Sequence, residues 1–343
     1  MTSAVVFSAC TQQTTTPPVA DTSAPVTTTA TATPTEFRIG YQVSPNAELL
    51  TKNLGLIEAK YPDVDIKWLS FDSGRDVNTA MASGGIDVGL VGSVPVSTGI
   101  AQNLSYQVYF IHGVIGDNEA LAVTKSSGIA SMADLTGKKV AVPFGSTTHF
   151  SFLSALKQEG IDPNDLTILD MQPQDMLAAW QRGDIDGGFV WYPILGKMLE
   201  ADGDLLVTAK QLAEKGIITA DLGVVSKDFA AKYPDFLAGY VSALSEAVQL
   251  YRDDPKAASE ALSAEIGLSP EETLKVMDQL VWLNAGEQAS PQYLGVPDAP
   301  GALSQVLKDS AEFMVEQGDI SAAPDLDAYK ASLFNRAVAD AKY

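Results

Sequence analysis

The stretch that decides the fold is Val142-Pro143-Phe144-Gly145-Ser146-Thr147-Thr148-His149-Phe150. The apolar run that ends at Val142 predicts a short strand, and Pro143 and Gly145 break it. A hydroxyl residue, either Ser146 or Thr147, is placed to cap the helix that follows. The free N–H groups of a first helical turn favour a negatively charged group. This stretch therefore predicts an anion site, although an ordinary capped surface helix has the same pattern.

Strand and helix patterns alternate on both sides of this stretch. Strands are predicted over residues 37–41, 64–69, 86–90 and 106–111, with helical patterns and short loops between them. Such regular alternation predicts an α/β fold with mostly parallel sheets flanked by helices. Polar or glycine-rich residues follow several of these strands. In open α/β sheets the ligand crevice lies beyond the carboxyl ends of the strands, so these residues are expected to converge there.

The pattern predicts two lobes that are joined by two crossings of the chain. The first lobe takes residues 36–117 and 222–343, and the second takes residues 118–221. An internal repeat supports two related lobes. In each copy a turn leads into a strand that contains one aspartate, and the copies are Ser83-Gly84-Gly85-Ile86-Asp87 and Arg182-Gly183-Asp184-Ile185-Asp186.

The N-terminal residues resemble the end of a bacterial lipoprotein signal peptide, because small residues precede the cysteine Cys10. A basic region and part of the apolar stretch are missing, so we interpret residues 1–10 as a truncated signal segment. Cys10 is then the predicted lipidation site, and the alternative is an incidental thiol. Residues 11–35 are rich in threonine and proline and predict a disordered tether. With one cysteine, the chain has no intrachain disulfide and no CxxC metal site.

Charge and motif content restrict the class of function. The chain carries 43 acidic and 22 basic residues, a formal net charge of −21, and this argues against nucleic acid or anionic lipid as a partner. His112 and His149 are the two histidines, and neither lies in a zinc or triad motif. We therefore predict a protein that is not an enzyme and has no cofactor or metal. An enzyme on the same fold is the less favoured alternative.

Several motifs together resemble one protein family. They are Gly40-Tyr41-Gln42, Phe71-Asp72-Ser73-Gly74, Asn118-Glu119-Ala120-Leu121, the stretch from Val142 to His149, and Ala179-Trp180-Gln181-Arg182-Gly183-Asp184-Ile185-Asp186-Gly187. In order and spacing they are similar to the taurine-binding proteins of bacterial ABC importers, which belong to the aliphatic sulfonate-binding proteins. The resemblance implies a two-lobed periplasmic-binding-protein fold of the second type, with taurine or a close aliphatic sulfonate between the lobes. It also implies a monomer that delivers ligand to an ABC permease from the periplasm or the outer face of the cytoplasmic membrane. The membrane is then contacted only through a lipid anchor.

The chemistry of such a ligand selects candidate binding residues. A sulfonate needs several neutral donors around three oxygens, and an ammonium needs carboxylate and an aromatic face. Glu119 and Asp221, at the two predicted crossings, are expected to bind the ammonium, and Trp191 is expected to form a wall. The alternatives are a solvated hinge residue for Glu119, a helix or turn cap for Asp221 and a core aromatic for Trp191. Another alkanesulfonate or nitrate is the alternative ligand. The expected sulfonate donors are Gln42, Ser93, Ser146, Thr147 and Thr148.

Overall fold

The computed structural model describes residues 1–2 and 32–342, and ten of its strands form two five-stranded sheets. The strands are β1 (Glu36–Tyr41), β2 (Asp65–Ser70), β3 (Val88–Gly92), β4 (Tyr106–Val114), β5 (Glu119–Thr124), β6 (Lys139–Val142), β7 (Thr167–Asp170), β8 (Gly187–Trp191), β9 (Gly203–Thr208), β10 (Ala220–Ser226), β11 (Gly295–Val296) and β12 (Ala299–Pro300). Cys10 and most of the predicted signal segment and tether lie outside the described residues.

Helices connect and cover these strands. They are α1 (Ala47–Leu54), α2 (Leu56–Lys60), α3 (Gly74–Ala82), α4 (Ser93–Ala101), α5 (Thr147–Glu159), α6 (Pro173–Arg182), α7 (Ile194–Glu200), α8 (Ala209–Ala213), α9 (Lys227–Lys232), α10 (Pro234–Asp253), α11 (Pro255–Ile266), α12 (Pro270–Met277), α13 (Ala285–Gln288), α14 (Leu303–Glu316), α15 (Leu326–Ala331) and α16 (Arg336–Asp340). None of the described helices is both long and apolar enough to cross a membrane.

Each five-stranded sheet is parallel except for one reversed strand. The first sheet has the order β2-β1-β3-β10-β4, and β10 runs antiparallel to both of its neighbours. The second has the order β7-β6-β8-β5-β9, and β5 runs antiparallel to both of its neighbours. The predicted α/β fold with mostly parallel sheets is confirmed. The reversed strands were not predicted, and each is the first strand after the chain changes sheet.

The internal repeat in the sequence corresponds to the same backbone clip in both sheets. In the first sheet, Asp87 accepts a hydrogen bond from the backbone N–H of Arg38 at 2.8 Å and donates its own N–H to the carbonyl of Arg38 at 2.9 Å. In the second, Asp186 makes the same two bonds with Lys139, both at 2.8 Å. Each embedded aspartate thus ties the turn before a central strand to the start of its parallel neighbour.

A buried polar cluster lies in the core beside the first sheet. Glu48 of α1 is fully buried, and its Oε1 accepts a hydrogen bond of 3.0 Å from the Tyr240 hydroxyl. The Nε2 of His112 lies 3.7 Å from the same oxygen. Burial raises the pKa of Glu48 to about 8 and lowers the pKa of His112 to about 3. Both side chains are therefore mostly uncharged at neutral pH, because an isolated charge in this core would be strongly destabilising.

We predict that Glu48→Gln makes the protein more stable at pH 8 than the parent and leaves its stability nearly unchanged at pH 5. The pKa of Glu48 is higher in the folded than in the unfolded chain, so its contribution to stability is complete at low pH and is lost as the pH rises toward 8. The difference in the free energy of unfolding between the two pH values should be roughly 1–3 kcal/mol. Urea unfolding at each pH measures it.

Glu246→Gln, at an exposed position of α10, is the matched control and should show no such pH-dependent gain. An equal effect of Glu48→Gln at both pH values would contradict the assignment of a neutral Glu48.

Candidate functional site

A small cavity lies between the two sheets and has a volume of about 30 Å³. Both sheets contribute to it at one edge. Gln42 follows β1, Gly92 ends β3 and Trp191 ends β8, so these residues come from the carboxyl ends of parallel strands. The lining residues are Gln42, Ser44, Gly74, Leu90, Gly92, Pro95, Asn118, Glu119, Ser146, Thr147, Trp191 and Asp221.

Most of the predicted site residues come together in this cavity. The lining contains Gln42, Glu119, Ser146, Thr147, Trp191 and Asp221. Ser93 and Thr148 do not line it. The Ser93 hydroxyl is fully buried and accepts the backbone N–H of Ala220 at 3.2 Å, and the Thr148 hydroxyl lies 2.8 Å from that of Ser146. Ser93 thus holds the backbone at the start of β10, and Thr148 contacts the side chain of Ser146.

The sequence analysis did not assign four of the lining side chains and two glycines to the site. Ser44 and Gly74 follow strands and Gly92 ends one. Their segments were therefore among those expected to converge on the ligand crevice beyond the strand ends. Asn118 precedes Glu119, and its Oδ1 accepts the backbone N–H of Gly116 at 2.9 Å, which shapes the first crossing. The two other residues that were missed are Leu90 and Pro95, and apolar residues of this kind carry no signal that separates a pocket wall from a core position.

Three helices begin at the cavity. Gly74 is the first residue of α3, Gly92 caps α4, and Ser146 caps α5, where its hydroxyl accepts the backbone N–H of His149 at 3.1 Å. The cap is thus one of the two hydroxyl residues expected from the sequence. Because the first N–H groups of each helix have no partner inside the helix, their partial positive charges converge here. The arrangement favours an anion without any basic side chain.

Two carboxyl groups lie in the same cavity. Glu119 is 3% exposed; its Oε1 accepts a hydrogen bond of 2.7 Å from the Thr147 hydroxyl, and its Oε2 has no partner in the described part of the chain. Burial, with a smaller contribution from the charge of Asp221, raises the pKa of Glu119 to about 8, and the Thr147 bond opposes this rise. Burial raises the pKa of Asp221 to about 7.

No lysine, arginine or histidine belongs to the described lining of the cavity. The carboxyls of Glu119 and Asp221 therefore have no cationic side chain beside them. Since an unpaired carboxylate in a buried site is costly, the site is best satisfied by a ligand that brings a cation. Within residues 32–342 no cluster of three or more side chains could hold a metal ion.

Direct contacts join the two lobes beside the cavity. Arg75 of α3 forms an ion pair of 2.9 Å with Asp170 at the end of β7. The Nε2 of Gln172, which caps α6, lies 3.2 Å from both the Ser73 hydroxyl and Oδ2 of Asp76. These contacts hold the N-terminal ends of α3 and α6 together beside the cavity.

Helix α14 makes a second set of contacts between the lobes. The ring of Phe313 packs edge-on against Phe150 of α5, with 5.0 Å between ring centroids. Glu316 forms an ion pair of 2.6 Å with Lys157, which lies seven residues after Phe150 in α5. The helix whose N-terminus reaches the cavity is therefore held by the first lobe along its length.

Comparison with known proteins places the chain in a family. Residues 61–258, more than half of the chain, match the family model described as NMT1/THI5 like. The chain belongs to the NMT1/THI5-like family. One relative is the taurine-binding periplasmic protein of Escherichia coli, which is 35% identical over 80% of this chain and 85% of its own length.

Two solved structures of sulfonate-binding proteins share the fold. The alkanesulfonate-binding protein SsuA of Xanthomonas axonopodis pv. citri, bound to MOPS, superposes with a TM-score of 0.72 at 22% identity, over 88% of this chain and 99% of that one. The periplasmic aliphatic sulphonate binding protein SsuA of Escherichia coli gives a TM-score of 0.69 at 25% identity, over 87% and 92% of the two chains. The predicted periplasmic-binding-protein fold is confirmed by this likeness.

We predict that two substitutions move the pKa of Glu119 in opposite directions. Thr147→Val removes the hydrogen bond that stabilises the ionised carboxylate, so the pKa of Glu119 should rise further above 8. Asp221→Asn removes the neighbouring negative charge, so the pKa of Glu119 should fall. Carbon-13 NMR of the glutamate carboxyls during a pH titration measures both. Shifts in the same direction would contradict this description of the site.

Proposed function

We propose that this member of the NMT1/THI5-like family is the solute-binding receptor of an ABC importer and that it binds taurine or a close aliphatic sulfonate. The single observation that carries the proposal is the composition of the cavity. Three helix N-termini and two carboxyl groups meet within about 30 Å³, and the described lining holds no basic side chain. A small zwitterion matches this arrangement, because its anion meets the helix ends and its cation meets the carboxyls.

The chemistry of taurine fits both ends of the cavity. A sulfonate remains ionised at physiological pH, and its oxygens accept hydrogen bonds from the first turns of α3, α4 and α5. The ammonium lies two carbons away and reaches Glu119 and Asp221. Both carboxyls then become ionised, and the Trp191 ring adds an aromatic face beside the cation. Gln42, Ser146 and Thr147 supply the remaining polar wall.

The two lobes supply the mechanism of capture. We propose that residues 36–117 with 222–343 and residues 118–221 move as two bodies, and that ligand favours the closed arrangement by contacting both. The receptor works in the periplasm, as its Escherichia coli relative does by name, and passes the ligand to a membrane permease. It has no catalytic role in this proposal, which is supported by relatives that are named binding proteins. A lipid anchor at Cys10 remains a prediction from the sequence.

We predict that Asp221→Asn weakens the binding of taurine by about tenfold or more, because the amide cannot neutralise the ammonium. Ethanesulfonate, which lacks the amine, should lose less than about threefold. Isothermal titration calorimetry measures both affinities. The parent should bind taurine with a dissociation constant between tens of nanomolar and micromolar, since a ligand of this size gains no more than roughly 10 kcal/mol.

Asp228→Asn, an exposed acid in α9, is the matched control and should leave both affinities unchanged. Equal losses for the two ligands in Asp221→Asn would rule out the ammonium role of this carboxyl. If the parent protein binds neither ligand, the proposed function is wrong.

We also predict that the affinity for taurine rises as the pH is raised from 6 to 8. The pKa values of about 8 and about 7 mean that Glu119 and Asp221 hold protons in the free protein, and an ammonium ligand favours their ionised forms. Binding therefore releases protons, and the affinity can rise by up to about tenfold per pH unit for each proton released.

Calorimetry in buffers of different ionisation enthalpy counts the released protons. The affinity for ethanesulfonate should stay level or fall over the same range, because ionised carboxyls repel an anion. Taurine binding that is independent of pH and releases no proton would show that the two carboxyls do not exchange their protons for the ligand cation.

A further inference from the structure

A second cavity adjoins the first between the lobes. Its volume is about 240 Å³, whereas the first measures about 30 Å³. Two side chains, Gln42 and Trp191, line both cavities, and no other described residue does. These side chains therefore form the partition between a small compartment that Glu119 and Asp221 line and a larger one that neither of them lines.

The two halves of the partition are held differently. Gln42 is 7% exposed, and its Nε2 donates a hydrogen bond of 2.9 Å to the carbonyl of Leu90. Trp191 is half-buried at the end of β8, where the strand gives way to α7. The Gln42 side chain is thus fixed to the first sheet, and the Trp191 ring closes the partition from the second.

Strand register places the Trp191 ring next to the proposed cation site. Trp191 lies directly opposite Glu119 in the antiparallel pair of β8 and β5. Opposed residues of such a pair project from the same face of the sheet, with Cβ atoms about 5 Å apart. An ammonium held by Glu119 therefore has Trp191 as its neighbour. A substituent on that nitrogen that points away from Glu119 meets the indole ring, and the second cavity lies behind the ring.

The walls of the second cavity suit an uncharged, largely apolar group. Phe71 and Val43 of the first lobe face Ile194 of the second lobe across it. Lys197, Asp72 and Glu265 also line it. Glu265 forms an ion pair of 2.8 Å with Lys52, and Lys197 and Asp72 carry opposite charges, so the walls give no strong net preference for an anion or a cation. A hydrocarbon substituent gains from leaving water for such walls. The larger compartment is therefore able to take a bulky group on the ligand amine.

We propose that Trp191, backed by Gln42, sets the upper size of the ligand by shutting the second cavity off from the amine end of the site. This inference rests on the proposed function, because it assigns a specificity-determining residue to the same sulfonate site. The parent receptor admits an amine without a large substituent. Removal of the indole ring joins the two cavities and admits an N-substituted taurine.

The test compares taurine with N-cyclohexyltaurine, two ligands that differ only by the ring on the nitrogen. Calorimetry gives the ratio of their dissociation constants for the parent, for Trp191→Ala and for Trp68→Ala. Trp68 lies in β2 and lines neither cavity, so it is the matched control. The parent should bind N-cyclohexyltaurine about a hundredfold more weakly than taurine. Trp191→Ala should reduce this ratio by at least about tenfold, because the ring then becomes buried in the second cavity, and Trp68→Ala should keep it.

A filling variant checks that the second cavity takes the substituent. Gln174 is exposed and lines that cavity only, so Gln174→Trp on the Trp191→Ala background should restore most of the discrimination. Trp191→Leu replaces Trp191→Ala if the alanine variant does not fold, and should show a smaller reduction of the ratio.

The outcomes separate the two proposals. If the parent binds no taurine, the proposed function fails. If the parent binds taurine but accepts N-cyclohexyltaurine equally well, or if Trp191→Ala has the same ratio as Trp68→Ala, the partition is wrong and the proposed function stands.

Discussion

The site depends on the hydrogen bond of 2.7 Å between the Thr147 hydroxyl and Glu119. Thr147 is the first residue of α5, so one side chain links the positive end of a helix to a buried carboxyl from a neighbouring strand. The remaining Glu119 oxygen has no partner among the described residues. The protein therefore holds a polarised cavity in which attraction for an anion and attraction for a cation are separated by a few ångströms. No basic side chain of the described lining neutralises the two carboxyls.

The reversed strands explain why the two acids come together. In a parallel sheet the strand ends at the ligand edge are carboxyl ends, and a reversed strand presents its amino end at that edge. Glu119 is the first residue of β5 and Asp221 is the second residue of β10, the two reversed strands. Each sheet thus delivers one carboxyl to the cavity as the chain enters it. The two aspartate clips, at Asp87 and Asp186, fix the central parallel strands against which this edge forms.

Much of this architecture is predictable from the sequence, and the limits have physical causes. The alternation of strands and helices was correct because buried parallel strands and capped helices leave strong local patterns. Six of eight predicted site residues line the cavity, but Ser93 and Thr148 turn away from it. A hydroxyl at a helix start can face a ligand or brace the backbone with equal local preference, and only packing decides. The reversed direction of β5 and β10, and the partition at Trp191, arise from contacts distant in sequence and leave no local trace.

The position of β10 also has a consequence for how the protein is made. This strand lies between β3 and β4, although both of those are complete more than a hundred residues earlier in the chain. An interior position of the first sheet therefore stays open while a chain that grows from its N-terminus builds the whole second sheet. Strands so far apart in sequence pair slowly, because the long intervening loop must lose conformational entropy before stabilising contacts form. Asp221 belongs to β10, so a chain still too short to include this strand lacks one of the two carboxyls of the cavity and cannot yet hold a ligand there.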